Sequence, residues 1–176
     1  MVTLRDARVD DLNAVADIYR HYVESSTATF DHIAPDLATW QRKLEHCRTG
    51  RLPFLVVEDP EVASGVLGFA CLGPYRGKAG WARTMEDSIY LRPEAAGRGI
   101  GSRLMRAMID QTDPAVVRNI MAVISDEVPE SVALHRKAGF VESGRTPGVG
   151  YKFGRWVGVV YMHLSLAPSE VAESGD

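Results

Sequence analysis

Residues 92–103, RPEAAGRGIGSR, decide how this chain folds, because they join two elements of different periodicity. The preceding residues 84–91, TMEDSIYL, alternate as a β-strand does, so Glu86, Ser88 and Tyr90 are expected on one face and Asp87 on the other. The residues that follow have the spacing of an amphipathic helix, with Ile100, Leu104, Ala107, Met108 and Gln111 on one side. The stretch therefore predicts a strand, a glycine-rich turn over 97–101 and a helix.

The turn has the properties of an anion site. The first turn of a helix has unpaired N–H groups and a partial positive charge, and glycines let a phosphate approach the backbone. Residues 92–106 hold four Arg and one Glu, although the whole chain has a net charge of −3. Neither GxxxxGK[ST] nor GxGxxG is present, since Ser102 stands where the last glycine of the second pattern would be. A polyphosphate ligand is the functional interpretation, and a glycine-rich turn without a ligand is the alternative.

The rest of the chain mixes helices and strands in one domain over residues 1–166, followed by a flexible tail over 167–176. The expected elements are helices over 11–23 (with Asp10 as N-cap) and 36–47, a hairpin of strands 54–58 and 66–72, a strand over 118–124, a helix over 129–138, and strands over 140–144 and 156–166. Helices that cross between the later strands indicate an α/β or α+β sheet covered by helices.

Composition excludes several classes of protein. The chain has 176 residues, of which 45% are hydrophobic and 24% charged, as in soluble globular proteins. A net charge of −3 favours no nucleic-acid partner. No apolar run approaches the roughly 18 residues that span a membrane, and the N-terminus has no apolar signal region, so we expect a cytoplasmic protein. Cys47 and Cys71 form no disulfide framework, and without HExxH or a similar spacing we expect no metal.

The glycine-rich loop and the later segment 133–140, ALHRKAGF, together resemble the GNAT acyltransferase superfamily. Its loop has the pattern [Arg/Gln]-x-x-Gly-x-[Gly/Ala], matched here by Ala96, Gly99 and Gly101, with Ala96 in place of the usual Arg or Gln. The resemblance implies a central mixed, mostly antiparallel twisted sheet flanked by helices. It also implies acetyl-CoA as cosubstrate, bound by Ile89, Tyr90, Leu91, Arg98, Gly99, Ile100, Gly101, Ser102 and Arg103.

Five segments in order narrow the resemblance to the phosphinothricin and methionine-sulfoximine N-acetyltransferases, over about residues 3–166. They are residues 28–31 (ATFD), 73–76 (GPYR), 84–90 (TMEDSIY), 133–135 (ALH) and 149–156 (VGYKFGRW). Two further departures from the family pattern are the stretch 127–130, EVPE, which lacks the usual Asn, and Gly158, where the family commonly has Asp.

The resemblance implies a role for two titratable residues. Acetyl transfer to an amine needs a neutral amine, whereas an α-amino group with a pKa of about 8 is mostly protonated at pH 7. Glu86 matches the family's catalytic Glu and is the expected general base, with a solvent-facing Glu on an edge strand as the alternative. His135 stands where many GNAT enzymes have a Tyr acid, and its alternative is an ordinary helical His. A backbone N–H within residues 89–91 is the implied donor to the thioester oxygen, in a direct attack without an acyl-enzyme.

The implied acceptor is a small amino acid with a second acid or acid-like group. The matching substrate-contact positions are Phe30, Arg76, Lys78, Trp81, Ser88, Tyr90 and Val159. For Arg76 and Lys78, ordinary loop charge is the alternative. These enzymes are commonly homodimers, so Arg155 and Trp156 are candidates to reach a neighbouring subunit. Two other functions stay open: acetylation of peptide or protein N-termini, and a non-catalytic acyl-CoA-binding module.

Overall fold

The computed structural model describes residues 2–60 and 65–166, which form seven β-strands and four α-helices. In chain order these are β1 (Thr3–Asp6), α1 (Leu12–Ser25), α2 (Leu37–Gly50), β2 (Phe54–Glu58), β3 (Val66–Pro74), β4 (Thr84–Leu91), α3 (Ile100–Gln111), β5 (Asn119–Ser125), α4 (Pro129–Lys137), β6 (Val141–Lys152) and β7 (Arg155–Ser165). Short 3₁₀ turns lie at Val9–Asp11, Ala79–Trp81 and Pro93–Ala95.

The strands form one mixed sheet in the order β1-β2-β3-β4-β5-β7-β6. Every neighbouring pair is antiparallel except β4 and β5, which run parallel. A parallel pair needs a crossover, and α3 provides it. The sequence-based expectation of a mostly antiparallel mixed sheet flanked by helices is confirmed.

Helices cover both faces of the sheet, and β4 shows which helix covers which face. The ring of Tyr90 contacts the rings of Tyr19 and Tyr22 of α1 at 4.9 and 5.1 Å between centroids. The next residue on the opposite face, Leu91, lies close to Gly101 at the start of α3. The alternation predicted for residues 84–91 therefore separates an α1/α2 face from an α3/α4 face.

The core lies on both sides of the two central strands. In β2 and β3 nearly every side chain is buried, as expected for strands covered on both faces. On the other side of β3, α3 contributes Ile100, Leu104, Met105 and Met108, all buried. The hydrophobic run of residues 66–72 thus reflects a strand covered on both faces, and its predicted hairpin with strand 54–58 is confirmed.

Several elements differ from the sequence-based expectation. Asp10 is not the N-cap of α1, because the 3₁₀ turn Val9–Asp11 leads directly into the helix. β1 was not predicted, because its four residues have little hydrophobic pattern and its partner strand, β2, is distant in the sequence. β6 is much longer than residues 140–144, because the glycines and proline after Gly144 lie in a hairpin with register shifts and not in a loop. The expected tail over 167–176 lies outside the described residues.

Replacing Gly68 by Ala should destabilise the protein. A Cβ at this position in β3 would overlap with Leu91 Cδ2 and stand 2.8 Å from the backbone oxygen of Tyr90, so a strand or a core side chain must move. We expect a loss of about 1–3 kcal/mol in the free energy of unfolding, measured by urea denaturation. Gly73→Ala in the same strand is the matched control, because its Cβ would meet nothing within 4 Å. Equal stability of the two variants would contradict the steric account.

Candidate active site

The main cleft of the molecule forms where β4 and β5 separate. Their parallel ladder has three register pairs and ends at Glu86 and Met121. Beyond that point a cavity of about 510 Å³ opens between the strands, and the glycine-rich loop and α4 complete its walls. Part of its lining comes from Ile89, Tyr90, Leu91, Gly99, Gly101, Ser102, Ser125 and His135.

The edge of β4 presents hydrogen-bond donors to this cleft. The bonds from Tyr75 N to Thr84 O and from Arg92 N to Leu67 O show that even-numbered residues of β4 bond to β3. By the alternation of an antiparallel ladder, the N–H groups of Ile89 and Leu91 then point to the β5 side. Since the β4–β5 ladder has already ended there, these two N–H groups face the cleft. Backbone N–H groups within residues 89–91, the predicted donors to the thioester oxygen, are therefore geometrically available.

The glycine-rich loop forms one end of the cleft. Gly97 and Gly99 both have φ near +73°, a conformation that favours glycine, and Gly99 is the N-cap of α3 without a side-chain cap. No atom stands within 4 Å of a Cβ built on either glycine, so the backbone is open to a ligand. The uncapped first turn of α3 can hold an anion such as a pyrophosphate.

Side chains of the loop differ in what they can contribute. Ser102 lines the cleft, whereas Ile100 is buried in the core and can contribute only its backbone. The Arg98 guanidinium lies 3.6 Å from the carboxylate of Asp59, and Arg103 is exposed. Neither arginine lines the cavity, so each offers positive charge near the loop and not a contact within the described cleft.

Glu86 lies on the α1/α2 face at the closed end of the β4–β5 divergence. With Ser88 it lines a second cavity of about 440 Å³ between α2 and β3. Burial, and next the neighbouring charge of Asp87, raise the pKa of Glu86 to about 7, against a smaller opposing effect of Lys43. A carboxyl group with such a pKa can accept a proton near neutral pH.

His135 lies on the opposite face, within α4, and is paired with Asp87. Its Nε2 lies 2.9 Å from Asp87 Oδ2, and its Nδ1 lies 2.7 Å from the backbone oxygen of Ser131. The side chains of His135 and Asp87 are only 3% and 2% exposed. Burial by itself would lower the pKa of His135, but the hydrogen bond and charge of Asp87 outweigh it and the pKa is raised. Because both acceptors are oxygens, this geometry suits an imidazolium that shares a proton with Asp87.

The structure thus places the two predicted catalytic residues on different faces of β4. Glu86 faces the cavity under α2, and His135 faces the main cleft through its pair with Asp87. Asp87 was not among the predicted site residues. Its contact with His135 joins residues 48 positions apart, and no local pattern in the sequence signals it.

The predicted acceptor contacts do not form one cluster. Ser88 lines both the Glu86 cavity and the main cleft, and the partly buried ring of Tyr90 packs among aromatic side chains and donates to Ala28 O. Phe30 packs against Gly150 in β6, where a Cβ would overlap its ring. Val159 is buried in β7.

The other predicted contacts lie in the loop between β3 and β4. The guanidinium of Arg76 stacks over the rings of Tyr75 and Trp81, at 5.0 and 5.3 Å from their centroids. Lys78 precedes the 3₁₀ turn that carries Trp81 and is exposed. These cations stand on an exposed loop, outside both described cavities.

Lys152 is a buried cation that sequence reasoning missed. Its Nζ donates to the backbone oxygens of Ser26, Thr29 and Tyr22 at 2.6, 2.7 and 3.3 Å. It thereby holds the end of β6 against the end of α1 and the loop that follows. The partial negative charge at the C-terminal end of α1 favours a cation at this position. The loop that carries Phe30 is fixed by this contact.

Two departures from the family pattern have structural counterparts. The carboxylate of Asp126, after β5, fills the space beside Gly158 and accepts its N–H at 3.2 Å, so a side chain at position 158 would overlap it. Glu127, in the stretch without Asn, forms an ion pair with Arg155 and accepts from Thr27. Both acidic residues brace the loop after β5 against β7.

Neither cysteine thiol is activated as a nucleophile. Both cysteines are free and buried, and burial raises the pKa of Cys47 to about 11 and that of Cys71 to about 12. Among residues 2–60 and 65–166, no group of three or more His, Cys, Asp or Glu side chains could hold a metal ion. In the same part of the chain, no helix is long and apolar enough to cross a membrane.

A diverging β4–β5 pair with an uncapped glycine-rich helix start defines an acyltransferase cleft, and residues 15–140 match the model of the Acetyltransferase (GNAT) family. The chain belongs to this family. It is 36% identical, over 97% of its length and 98% of the relative's, to an L-methionine sulfoximine/L-methionine sulfone acetyltransferase of Pseudomonas aeruginosa. It is 35% identical, over 93% of its length and 82% of the relative's, to a phosphinothricin N-acetyltransferase of Alcaligenes faecalis.

A solved structure with similar architecture is the phosphinothricin acetyltransferase of Sinorhizobium meliloti in complex with acetyl-CoA. It shares 32% identity with this chain and has a TM-score of 0.87, covering 98% of this chain and 96% of the other. The family assignment and the fold therefore agree with the resemblance found in the sequence.

Replacing Asp87 by Asn should lower the pKa of His135. The Asp87 carboxylate is what raises that pKa against the opposing effect of burial, and an amide keeps the shape but removes the charge. In the wild type, the stabilisation from this pair is present below the ordinary His pKa of about 6.5 and is lost as pH rises through the raised value. Titration of the ring by NMR measures the shift, and the other four histidines serve as internal controls. An unchanged His135 pKa in the variant would refute the pairing.

Proposed function

We propose that this protein transfers the acetyl group of acetyl-CoA to the amino group of a small amino-acid-like acceptor, by direct attack in a ternary complex. The observation that carries the proposal is Glu86, a carboxyl group with a pKa near 7 placed where β4 and β5 begin to diverge. The names of the Pseudomonas and Alcaligenes relatives support this class of acceptor.

The backbone of this chain provides the fit for acetyl-CoA, which supplies the activated acetyl thioester. The open N–H groups from Gly97 to the first turn of α3 would hold the pyrophosphate. The N–H groups of Ile89 and Leu91 would donate to the pantetheine arm and to the thioester oxygen along the β4 edge. Tyr22 already donates to Leu91 O at 2.6 Å, which fixes the end of this edge.

Glu86 would remove the proton from the acceptor's ammonium group. Because its pKa is about 7, a large fraction is ionised at neutral pH and can accept a proton, and that fraction falls at lower pH. The second proton transfer, to the departing thiolate, would take place on the other face of β4, opposite Glu86. His135 is the proposed donor to the departing thiolate, and the proton that it would give is the one that Nε2 shares with Asp87. Two residues on two faces thus divide the proton transfers.

Replacing Glu86 by Gln should reduce acetyl transfer by about 10²-fold and leave acetyl-CoA binding intact, because only the proton acceptor is lost. Release of free CoA measures transfer, and calorimetry measures binding. In the wild type, kcat/KM should fall below a pH of about 7, the pKa of Glu86. Glu45→Gln, an exposed residue of α2, is the control. A wild-type rate in Glu86→Gln would exclude this base.

The acceptor class is tested with a panel. Phosphinothricin, methionine sulfoximine, methionine sulfone, ordinary amino acids and a short peptide are compared for stimulated CoA release. Acceleration by peptides alone would favour N-terminal acetylation of proteins, and binding of acetyl-CoA without any transfer would favour a non-catalytic module.

We also propose a cytoplasmic homodimer. The two unpaired thiols support a reducing compartment. The tip of the β6–β7 hairpin exposes Tyr151, Phe153 and Trp156, with Trp156 66% exposed. An apolar aromatic patch of this kind is typical of an interface, and a second copy of the hairpin is its proposed partner.

Replacing Trp156 by Glu should therefore shift the protein from dimer to monomer. Light scattering after size exclusion should give twice the 19.3 kDa of one chain for the wild type and a single chain mass for the variant. Val141→Glu, which is equally exposed at the other end of the hairpin, is the control and should stay dimeric. A monomeric wild type would refute the proposal.

A further inference from the structure

The cavity that holds Glu86 is also lined by positively charged side chains. It lies between α2 and β3, and α2 contributes the cations Arg42 and Lys43, together with His46, to its wall, opposite Glu86 and Ser88. None of these three residues was predicted as part of the site. Their side chains lie on the exposed surface of a helix, where charge has no functional signature in the sequence.

The ammonium group of Lys43 is held in place by aromatic rings. Its Nζ lies 4.7 Å from the ring centroid of Trp40 and 6.0 Å from that of Tyr19. Tyr19 in turn contacts Tyr90 edge-on, and Tyr90 shares the β4 face with Glu86. Lys43 is thus a cation in the wall of the cavity that also holds Glu86, and its ring contacts favour one position of its flexible chain.

An α-amino acid presents two groups on one carbon atom. If its amine lies next to Glu86, its carboxylate, which is attached to the same carbon atom, also lies close to Glu86. The charges of Glu86 and Asp87 would repel it there. A nearby fixed cation offsets this repulsion. Arg76 and Lys78 stand on the exposed β3–β4 loop, outside this cavity, and are better placed for a second acidic group of the acceptor.

We propose that Lys43, with Arg42 beside it, binds the α-carboxylate of the acceptor and so selects free α-amino acids over peptides. The inference rests on the proposed acetyl transfer and deepens it. In a peptide the first residue has an amide in place of this carboxylate, so the contact that Lys43 offers is lost. Lys43 is then a specificity-determining residue of the acceptor site.

Lys43 also acts on the base. Its positive charge favours the ionised form of Glu86, in opposition to burial and to Asp87. The other ionisable groups around this cavity are Arg42, His46 and Cys47 of α2 and Cys71 of β3. Removal of the Lys43 charge should therefore raise the pKa of Glu86, and the acidic limb of the kcat/KM profile should move to higher pH.

The test compares Lys43→Met with Lys43→Arg on two acceptors, methionine sulfone and its α-carboxamide. The carboxamide keeps the amine and the side chain but lacks the carboxylate charge. With methionine sulfone, kcat/KM of Lys43→Met should fall about ten- to hundred-fold, chiefly through KM, as expected for loss of a charged hydrogen bond. Both acceptors are compared at a pH well above the pKa of Glu86 in wild type and variant, so that the base is ionised in each, and with the carboxamide kcat/KM should then barely change. Lys43→Arg should retain most of the activity on the acid.

Controls separate this inference from the proposed function. Arg48→Met, also an exposed cation of α2, should match the wild type, and acetyl-CoA affinity should be equal in all variants. A wild type that acetylates no acceptor would refute the function itself. An active wild type in which Lys43→Met loses nothing, or loses the same factor on acid and carboxamide, would overturn the role of Lys43 alone. An unmoved acidic limb would overturn its effect on Glu86.

Discussion

Strands β4 and β5 run parallel over three register pairs and then separate beyond Glu86 and Met121. In most sheets the next backbone groups would continue the ladder, because an unpaired N–H that is removed from water costs about 1–3 kcal/mol. Here the N–H groups of Ile89 and Leu91 are left for a ligand. The site is therefore an interruption of the sheet. A ligand that lies along β4 would accept hydrogen bonds from the N–H groups of β4 that no longer pair with β5.

The divergence also decides which side chains can act together. Since successive residues of β4 point to opposite faces, Glu86 and Asp87 are neighbours in sequence but belong to different cavities. Both Glu86 and His135 are largely buried, and both have a raised pKa, but for different reasons. The pKa of Glu86 is raised because its negative form is poorly solvated, whereas that of His135 is raised because Asp87 stabilises its positive form. One strand thus carries the proposed proton acceptor on one face and contacts the proposed proton donor on the other.

Local patterns were enough to predict the strand, the glycine-rich turn and the helix around residues 84–111 and the two faces of β4, because each depends on periodicity or on glycine, whereas the mixed, mostly antiparallel sheet was predicted from the family resemblance. The features that were missed depend on contacts between distant residues. β1 is defined by its pairing with β2 and not by its own four residues. Lys152 looks like a surface lysine in the sequence, but it is buried and donates hydrogen bonds to three carbonyl oxygens, at the end of α1 and in the loop after it, more than 120 residues earlier in the chain.

The distribution of charge in the folded protein also depends on contacts between distant residues. The composition shows a chain of net charge −3, and the sequence predicted a phosphate site near the four arginines of residues 92–106 and, from the resemblance, an acceptor site with Arg76 and Lys78. The structure shows two regions of positive charge on opposite faces of β4, because α2 brings Arg42 and Lys43 to the cavity of Glu86. A phosphate-bearing cosubstrate and an acidic acceptor would each meet cations on its own side, and the negative charges of Glu86 and Asp87 lie between them at the start of the divergence. In the proposed complex these charges would repel an acceptor's carboxylate from the centre and attract it to the α2 wall, and the amine would then be oriented towards Glu86.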